Sequence, residues 1–334
     1  MFVKHNSNFL WRGEILKNKV KATIEKYNLI NKEDKILVGV SGGPDSISLL
    51  NILHELGYNI CTAHVNHGLR DNAENDEKYV VEFCKSKNIS CFVKRVKLKE
   101  IESDMTTEEL GRKVRYDFFD EIMKQEGCTK IATAHNANDN AETVLMNIIR
   151  GTGLAGLKGI GISRDVIVRP LLEITRNEIE VYCEKENLNP CHDESNDETI
   201  YTRNKVRLEL IPYIEKNINS NIVNNINRMS EILFEEETFL DKQAEEAYRD
   251  SLVAEEDGRT VCNLKRFNAY ENVIQKRVII KYITKTLGNA KDIEKVHIED
   301  ILKLCKNNVG GKYLTPNKYI KVSVNKGIVE YVKL

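Results

Sequence analysis

Short β-branched segments alternate with longer amphipathic segments through the first half of the chain. Four apolar runs have the length and β-branched content of buried strands, and they lie at residues 35–40, 60–65, 91–96 and 130–134. The segments between them repeat apolar residues at helical spacing, at residues 46–56, 72–87, 107–125 and 138–150. This alternation predicts an α/β fold, in which a parallel sheet carries helices on both faces.

The pattern changes in the second half of the chain. A fifth strand is predicted at 166–168 and a helix at 175–186, and the residues beyond 217 have helical periodicity to about 248. Two more helices, at 270–287 and 296–306, precede a strand-like ending that turns at 325–327. The sequence thus predicts an α/β domain over residues 1–216, followed by a smaller, mainly helical domain over residues 217–334.

Composition narrows the class of protein. Apolar residues make up 41% of the chain, and no apolar run reaches the ~20 residues that span a bilayer. The N-terminal segment lacks a small-residue cleavage site, so we expect a cytoplasmic protein without a membrane partner. None of the eight cysteines forms a C-x-x-C pair, which favours buried free thiols over disulfides or a zinc site.

Charge is distributed unevenly along the chain. The net charge is only -1, but residues 258–334 hold sixteen Lys and Arg against six Asp and Glu. The preceding segment, 231–257, is acidic. A basic module is typical of proteins that bind a phosphate backbone, although scattered lysines also occur on ordinary solvated surfaces.

Six small, rigid or polar residues separate the first predicted strand from the first helix. They are Ser41, Gly42, Gly43, Pro44, Asp45 and Ser46. A Gly-rich turn followed by a helix N-terminus forms an anion site from backbone N–H groups, and the two serine hydroxyls can add hydrogen bonds. Asp45 would repel a phosphate unless it caps the helix or holds Mg²⁺. The spacing fits neither the G-x-x-x-x-G-K-[ST] nor the G-x-G-x-x-G phosphate loop.

Three further segments carry candidate chemistry. "AHVNHGLR" (63–70) follows the second strand, where ligands bind to open α/β sheets, and its two histidines lack partners at zinc-ligand spacing. Arg112 and Arg115 are three residues apart on one predicted helix, which suits either an anion clamp or surface ion pairs. Asp139 and Glu142 share a helix face, where they can bind an ammonium group or Mg²⁺, or simply favour the helix dipole.

Together these motifs resemble the tRNA(Ile)-lysidine synthetase family of the PP-loop ATP pyrophosphatase superfamily. The resemblance covers roughly residues 30–215 and rests on motifs that are specific in combination, namely SGGPDS, AHVNHGLR, ELGRKVRYDFF, TAHNANDNAET with RGTGLAGLKGI, RPLL and DESNDETIYTRNKVR. It implies an adenine nucleotide alpha hydrolase-like, PP-loop fold. It also implies that the helical and basic remainder contacts tRNA.

The resemblance implies a two-step reaction on the wobble cytidine of a tRNA(Ile) with a CAU anticodon. ATP, with Mg²⁺, would first adenylate the C2 oxygen of the cytosine and release pyrophosphate. The ε-amine of free L-lysine would then attack C2 and expel AMP, so that lysidine is formed. Whether the enzyme acts as a homodimer stays open.

The resemblance also implies roles for individual residues. Asp45 and Asp139 would handle Mg²⁺ or the nucleophile, Glu142 would help to hold lysine, and Arg112 or Arg115 would contact the reacting nucleotide. The residues expected to bind ATP are Ser41, Gly42, Gly43, Pro44, Asp45, Ser46, His64, His67, Arg70 and His135. Those expected to contact tRNA are Arg203, Asn204 and Arg207. The chain departs from the family pattern T-A-H-H-x-D-D-x-A-E-T, because Asn136 and Asn138 replace the second His and the first Asp.

Two alternatives remain on the sequence alone. One is another enzyme with the same loop, either a tRNA thiolase or a small-molecule ligase such as an NAD or GMP synthetase. The lack of C-x-x-C weighs against the former and the basic C-terminal region against the latter. The other is a nucleotide-sensing or tRNA-binding module without catalysis, which would not need the charged set Asp45, Asp139 and Glu142.

Overall fold

The structure is a computed structural model that describes residues 7–68, 73–191, 202–307 and 311–334, with side chains from residue 14 onward. The chain forms two compact units, Met1–Leu233 and Phe234–Leu334. The predicted domain boundary after residue 216 stays a prediction. Among the described residues, no helix has the length and apolar character needed to cross a membrane.

The first unit contains a six-stranded sheet in the order β3-β2-β1-β4-β6-β5. Its strands are β1 (Lys35–Gly39), β2 (Asn59–Asn66), β3 (Cys91–Arg95), β4 (Lys130–Ala132), β5 (Ser163–Arg164) and β6 (Ile167–Val168). All pairs are parallel except β5 with β6, so the predicted parallel sheet is confirmed with one short antiparallel strand added at its edge.

Helices cover both faces of this sheet. They are α1 (Ser7–Lys26), α2 (Pro44–Glu55), α3 (Ala73–Ser86), α4 (Thr107–Glu126), α5 (Ala137–Arg150), α6 (Leu154–Leu157), α7 (Arg176–Lys185), α8 (Thr202–Lys205) and α9 (Ile211–Asn217). Side chains alternate along β1, so Ile36 and Val38 join the core beneath α1, α2, α3 and α7, whereas Leu37 joins a second core beneath α4. At Gly39 an added Cβ would lie 2.5 Å from the Phe119 ring, so glycine allows α4 to approach β1 closely.

The strand order creates a crevice at one edge of the sheet. Strand β2 pairs with one side of β1 and β4 with the other, so the chain reverses direction across the sheet at β1. The segments that leave β1 and β4 therefore diverge at the carboxyl edge, which is where ligands bind to open α/β sheets. The SGGPDS loop follows β1, and the segment that opens α5 follows β4.

The second unit is not mainly helical, and that prediction was wrong. It contains a five-stranded antiparallel sheet in the order β7-β8-β11-β10-β9. The strands are β7 (Leu252–Glu256), β8 (Arg259–Asn263), β9 (Lys312–Asn317), β10 (Ile320–Asn325) and β11 (Ile328–Lys333). The hairpin of β7 and β8 escaped prediction because β7 lies in the acidic segment and has little apolar alternation, although Gly258, at φ +70°, marks its turn.

Helices pack against one face of this second sheet. They are α10 (Ile222–Ser251), within which the two units divide, α11 (Leu264–Phe267), α12 (Asn272–Leu287) and α13 (Lys295–Asn307). The predicted helices at 270–287 and 296–306 and the final hairpin are confirmed. In β10, Ile320, Val322 and Val324 are buried in the core, and the intervening side chains belong to the opposite face.

All eight cysteines are free thiols, and six of them are buried. The preference for buried free thiols is therefore confirmed at those six positions. In the part of the chain that the structure describes, no three His, Cys, Asp or Glu side chains gather closely enough to hold a metal ion on their own.

Candidate functional site

A cavity of about 490 Å³ lies at the carboxyl edge of the first sheet. Its volume is in the range of small-molecule sites. The predicted site residues that line it are Ser41, Asp45, Ser46, His64, His67, Arg112, Arg115, His135, Asp139 and Arg203. Arg70 lies outside the described residues. Glu142 and Arg207 are not in the lining, but they form ion pairs with the lining residues Arg203 and Asp139 respectively.

Hydrogen bonds within the SGGPDS loop hold it in a fixed shape. The Ser46 hydroxyl donates to the Gly43 carbonyl (3.0 Å) and accepts from the Ser41 N–H (3.1 Å). Gly42 has φ +98°, a conformation that favours glycine, and Pro44 provides the φ that starts α2. No side chain caps α2, so N–H groups of its first turn remain available to an anion.

Asp45 lies half-buried in the first turn of α2, beside the loop. Burial and the nearby negative charge of Asp139 raise the pKa of Asp45 to about 6. The Asn136 side-chain amide donates a hydrogen bond to the Asp45 carboxylate over 3.0 Å. Asp45 and Asp139 both line the cavity, and their negative charges repel each other. Two such carboxylates suit Mg²⁺, a hard cation that prefers oxygen ligands.

Asn136 and Asn138, the two departures from the family pattern, both have structural roles. The Asn136 side-chain oxygen accepts from the Asp139 N–H at 3.0 Å, while the Asp139 carboxylate accepts from the Asn136 N–H at 3.1 Å, which forms a capping box at the start of α5. The Asn138 side-chain oxygen accepts from the backbone N–H of Arg176 at 3.0 Å. These amides therefore join α5 to the phosphate loop and to α7.

Asp139 and Glu142 share their partners, as the predicted common helix face requires. Arg207 donates one hydrogen bond to each carboxylate oxygen of Glu142, at 2.6 and 3.0 Å, and Arg203 donates to the same carboxylate at 2.8 Å. Both guanidinium groups also reach Asp139, at 3.3 and 3.0 Å. The Glu142 side chain is only 1% exposed, so its charge is available to these arginines and hardly to solvent.

Arginines of α4 also line the cavity. Arg112 and Arg115 of α4 both line it, and the Arg112 guanidinium stacks over the Tyr116 ring at 4.9 Å. Burial, followed by the nearby guanidinium groups of Arg169 and Arg112, lowers the pKa of His135 to about 3. His135 is therefore neutral at physiological pH, and the local field favours a bound anion.

His64 is buried on β2, with 3% of its surface exposed. Its Nδ1 lies 2.9 Å from the carbonyl oxygen of Val40, the residue before the loop. Its Nε2 is buried without a hydrogen-bond partner among the described residues. His67 also lines the cavity, after the end of β2.

Sequence reasoning missed two groups at this edge. Arg169 is 5% exposed, donates to the Gly161 carbonyl at 2.6 Å, and contributes to the positive field at His135. The only sequence signal for it was its place in the RPLL motif. Asn136 was noted merely as a departure from a family pattern, because the hydrogen bond it forms with Asp45 joins residues 91 positions apart.

The chain is similar in sequence to a known protein domain and to known enzymes. A protein-family model described as a PP-loop domain matches residues 14–214. The tRNA(Ile)-lysidine synthase of Clostridioides difficile (strain 630) is 45% identical over 306 residues, which are 89% of this chain and 66% of that protein. The tRNA(Ile)-lysidine synthase of Clostridium perfringens (strain 13) is 42% identical over 316 residues, 92% of this chain and 67% of that one.

The chain thus spans about two thirds of the length of these relatives. Among solved structures, the U34-tRNA thiolase NcsA from Methanococcus maripaludis, with its [4Fe-4S] cluster, is similar with a TM-score of 0.57 and 24% identity. That likeness covers 69% of this chain and 81% of the thiolase, and it concerns the fold alone.

Proposed function

Since this chain belongs to the tRNA(Ile)-lysidine synthase family, we propose that it joins lysine to the wobble cytidine of a tRNA(Ile) with a CAU anticodon. ATP adenylates the C2 oxygen of the cytosine with release of pyrophosphate, and the ε-amine of lysine then displaces AMP. The observation that carries this proposal is the single cavity lined by the phosphate loop, by Asp45 and Asp139, and by the arginines Arg112, Arg115 and Arg203. Thiolation and small-molecule ligation do not agree with this family membership.

ATP use follows from the PP-loop domain. We propose that the open N–H groups at the start of α2, with the hydroxyls of Ser41 and Ser46, bind the phosphates that leave as pyrophosphate. Because the loop is held by its own hydrogen bonds, it needs little rearrangement when ATP binds.

Asp45 and Asp139 would hold Mg²⁺. Burial and then the nearby charge of Asp139 raise the pKa of Asp45, and a divalent cation held by both carboxylates would relieve the repulsion between them. When bound, Mg²⁺ supplies positive charge that neutralises the phosphates of ATP. Asn136 orients the Asp45 carboxylate for this role through its hydrogen bond.

The arginines have separable tasks in this proposal. Arg112 and Arg115 line the cavity and would stabilise the negative charge of the reacting nucleotide. Arg203 also reaches the cavity, whereas Glu142 lies behind it with both carboxylate oxygens engaged. We therefore propose that Glu142 positions Arg203 and Arg207, and that Asp139, whose side chain is 17% exposed, is the carboxylate that meets the lysine amine.

The tRNA partner would contact the second unit through its last three strands. In the turn between β9 and β10, Lys318 lies over the Tyr319 ring at 5.0 Å, and on the strands themselves Lys321 lies over the Tyr313 ring at 4.5 Å. Neither lysine has a carboxylate partner among the described residues, so both charges are available to RNA phosphates, beside aromatic rings on which bases can stack. A cytoplasmic location and a homodimer stay predictions.

The proposal is tested by incorporation of labelled lysine into a transcript of tRNA(Ile) with ATP and Mg²⁺. We expect incorporation into the CAU transcript and none into the same transcript with uridine at the wobble position, which lacks the cytosine. Equal labelling of both transcripts, or of neither, would overturn the proposed function.

A further inference from the structure

His64 lines the cavity with only half of its hydrogen-bonding capacity used by the described part of the chain. It lies on β2 between Thr62 and Asn66, on the face of the sheet opposite to Ala63. A histidine buried in a strand for packing alone would have both ring nitrogens satisfied. Here Nδ1 is satisfied by Val40, and Nε2 is buried without a partner among the described residues, on a side chain that lines the cavity.

The contact with Val40 fixes the tautomer of His64. A carbonyl oxygen can only accept a hydrogen bond, so Nδ1, 2.9 Å away, must carry the proton. Nε2 then has a lone pair and no proton, and it can only accept. Burial lowers the pKa of His64 and so favours the neutral ring, although the hydrogen bond to Val40 and then the charges of Glu77 and Asp76 oppose this shift.

This tautomer determines which part of ATP can form a hydrogen bond with Nε2 of His64. Phosphate oxygens at neutral pH only accept hydrogen bonds, so they cannot pair with a nitrogen that also only accepts. The N–H and O–H donors of ATP are the 6-amino group of adenine and the ribose hydroxyls. The Val40 carbonyl directly precedes Ser41, so the His64 ring lies one residue from the phosphate loop and within the same cavity.

We infer that Nε2 of His64 accepts a hydrogen bond from the nucleoside part of ATP, either from the 6-amino group or from a ribose hydroxyl, and thereby selects the nucleotide. This inference rests on the proposed use of ATP. It assigns to His64 a specificity-determining contact with the nucleoside and none with the phosphates. A nucleotide that lacks the donor would leave the buried nitrogen unpaired and bind less tightly.

Two substitutions separate the ring nitrogens of His64. His64→Asn keeps an amide N–H near the Nδ1 position, where it can still donate to Val40, and has no atom at the Nε2 position. His64→Gln places an amide near the Nε2 position, where its oxygen can accept. His54→Asn is the matched control, because His54 lies on α2 outside the cavity lining.

The test measures dissociation constants of the full chain by calorimetry, with Mg²⁺, for ATP, purine riboside triphosphate, 2′-deoxy-ATP and 3′-deoxy-ATP. We expect one analogue, the one without the donor that His64 reads, to bind the wild type and His54→Asn about tenfold more weakly than ATP. His64→Asn should bind ATP as weakly as that analogue and no longer distinguish the two, and His64→Gln should recover part of the difference.

Each contrary outcome has a distinct meaning. If all three analogues bind the wild type as tightly as ATP, or if His64→Asn keeps the wild-type ratios, the role of His64 is refuted. The first of these results is measured on the wild type alone, so it refutes the role of His64 even if the variants fail to fold. If the wild type does not bind ATP at all, the proposed use of ATP is overturned as well.

Discussion

The side-chain amide of Asn136 lies 3.0 Å from the Asp45 carboxylate and donates a hydrogen bond to it, while its oxygen caps α5 at the N–H of Asp139. One residue thus connects both carboxylates that we propose as Mg²⁺ ligands. In the family pattern a histidine occupies this position, so asparagine changes the chemistry of the site without removing its hydrogen bonding.

The two bonds of Asn136 can be separated by substitution. Asn136→Ser keeps an N-cap and removes the hydrogen bond to Asp45, whereas Asn136→Ala removes both. We expect Asn136→Ala to lower the free energy of unfolding by about 1 kcal/mol relative to Asn136→Ser, measured by urea denaturation. Both variants should need more Mg²⁺ for half-maximal activity. An unchanged Mg²⁺ requirement in both would contradict the orienting role of Asn136.

Asp45 makes stability depend on pH in a direction unusual for a carboxylate. Its pKa of about 6 in the folded chain exceeds the ordinary value of 3.8, so the folded state binds the proton more tightly. The contribution of this group to stability is therefore present below about pH 4 and is lost as pH rises through 6. Asp45→Asn should gain stability over the wild type by about 1 kcal/mol more at pH 7.5 than at pH 5.

Mg²⁺ provides the control for this pH effect. If it binds between Asp45 and Asp139, it should raise the melting temperature of the wild type at pH 7.5 and leave that of Asp45→Asn nearly unchanged. A stability difference that is the same at both pH values would show that Asp45 is not held with a raised pKa. Calorimetric melting of both proteins provides these data.

Glu142 and Arg207 form the most deeply buried ion pair of the site. Among the described residues, removal of the Glu142 charge leaves two guanidinium groups that share the Asp139 carboxylate. We expect Glu142→Gln to lower the free energy of unfolding by about 2 to 4 kcal/mol. Because the penalty arises from unpaired arginines, the double variant Glu142→Gln with Arg207→Gln should lose less than the sum of the single losses. Additive losses in denaturant titrations would argue against this coupling.

The lysines over tyrosine rings provide a test of the tRNA surface. Lys318→Gln with Lys321→Gln should weaken tRNA binding and lower the slope of log affinity against log salt by about one for each phosphate that the variant no longer binds. Lys303→Gln with Asp300→Asn removes an ion pair from the same unit and should leave the slope unchanged. Filter binding at several salt concentrations measures both, and equal slopes for all variants would refute this surface.

The strands and the phosphate loop of the first unit were predicted well, because each depends on a pattern of consecutive residues. Runs such as 35–40 are buried on both faces, so they read as continuous apolar strands, and the loop after β1 carries its chemistry in six consecutive residues. The parallel strands alone predict that Asp45 and Asp139 lie at the same carboxyl edge of the sheet.

The sequence could not predict features that depend on distant residues. Glu142 and Arg207 are 65 positions apart, and nothing local distinguishes an arginine that pairs with a carboxylate from one that is free for phosphates. The tautomer of His64 depends on Val40, which follows a neighbouring strand. In the second unit, β7 is half charged, so only the sheet that it joins stabilises it as a strand.

We propose that the cavity couples ATP cleavage to lysine transfer onto tRNA. This coupling is tested by quantifying AMP, pyrophosphate and tRNA-bound lysine in one reaction with the CAU transcript. We predict that all three products form in equal amounts with the wild type and that Asp45→Asn forms none of them while still binding tRNA. Formation of ADP and phosphate, or of AMP without any tRNA-bound lysine, would contradict this coupling.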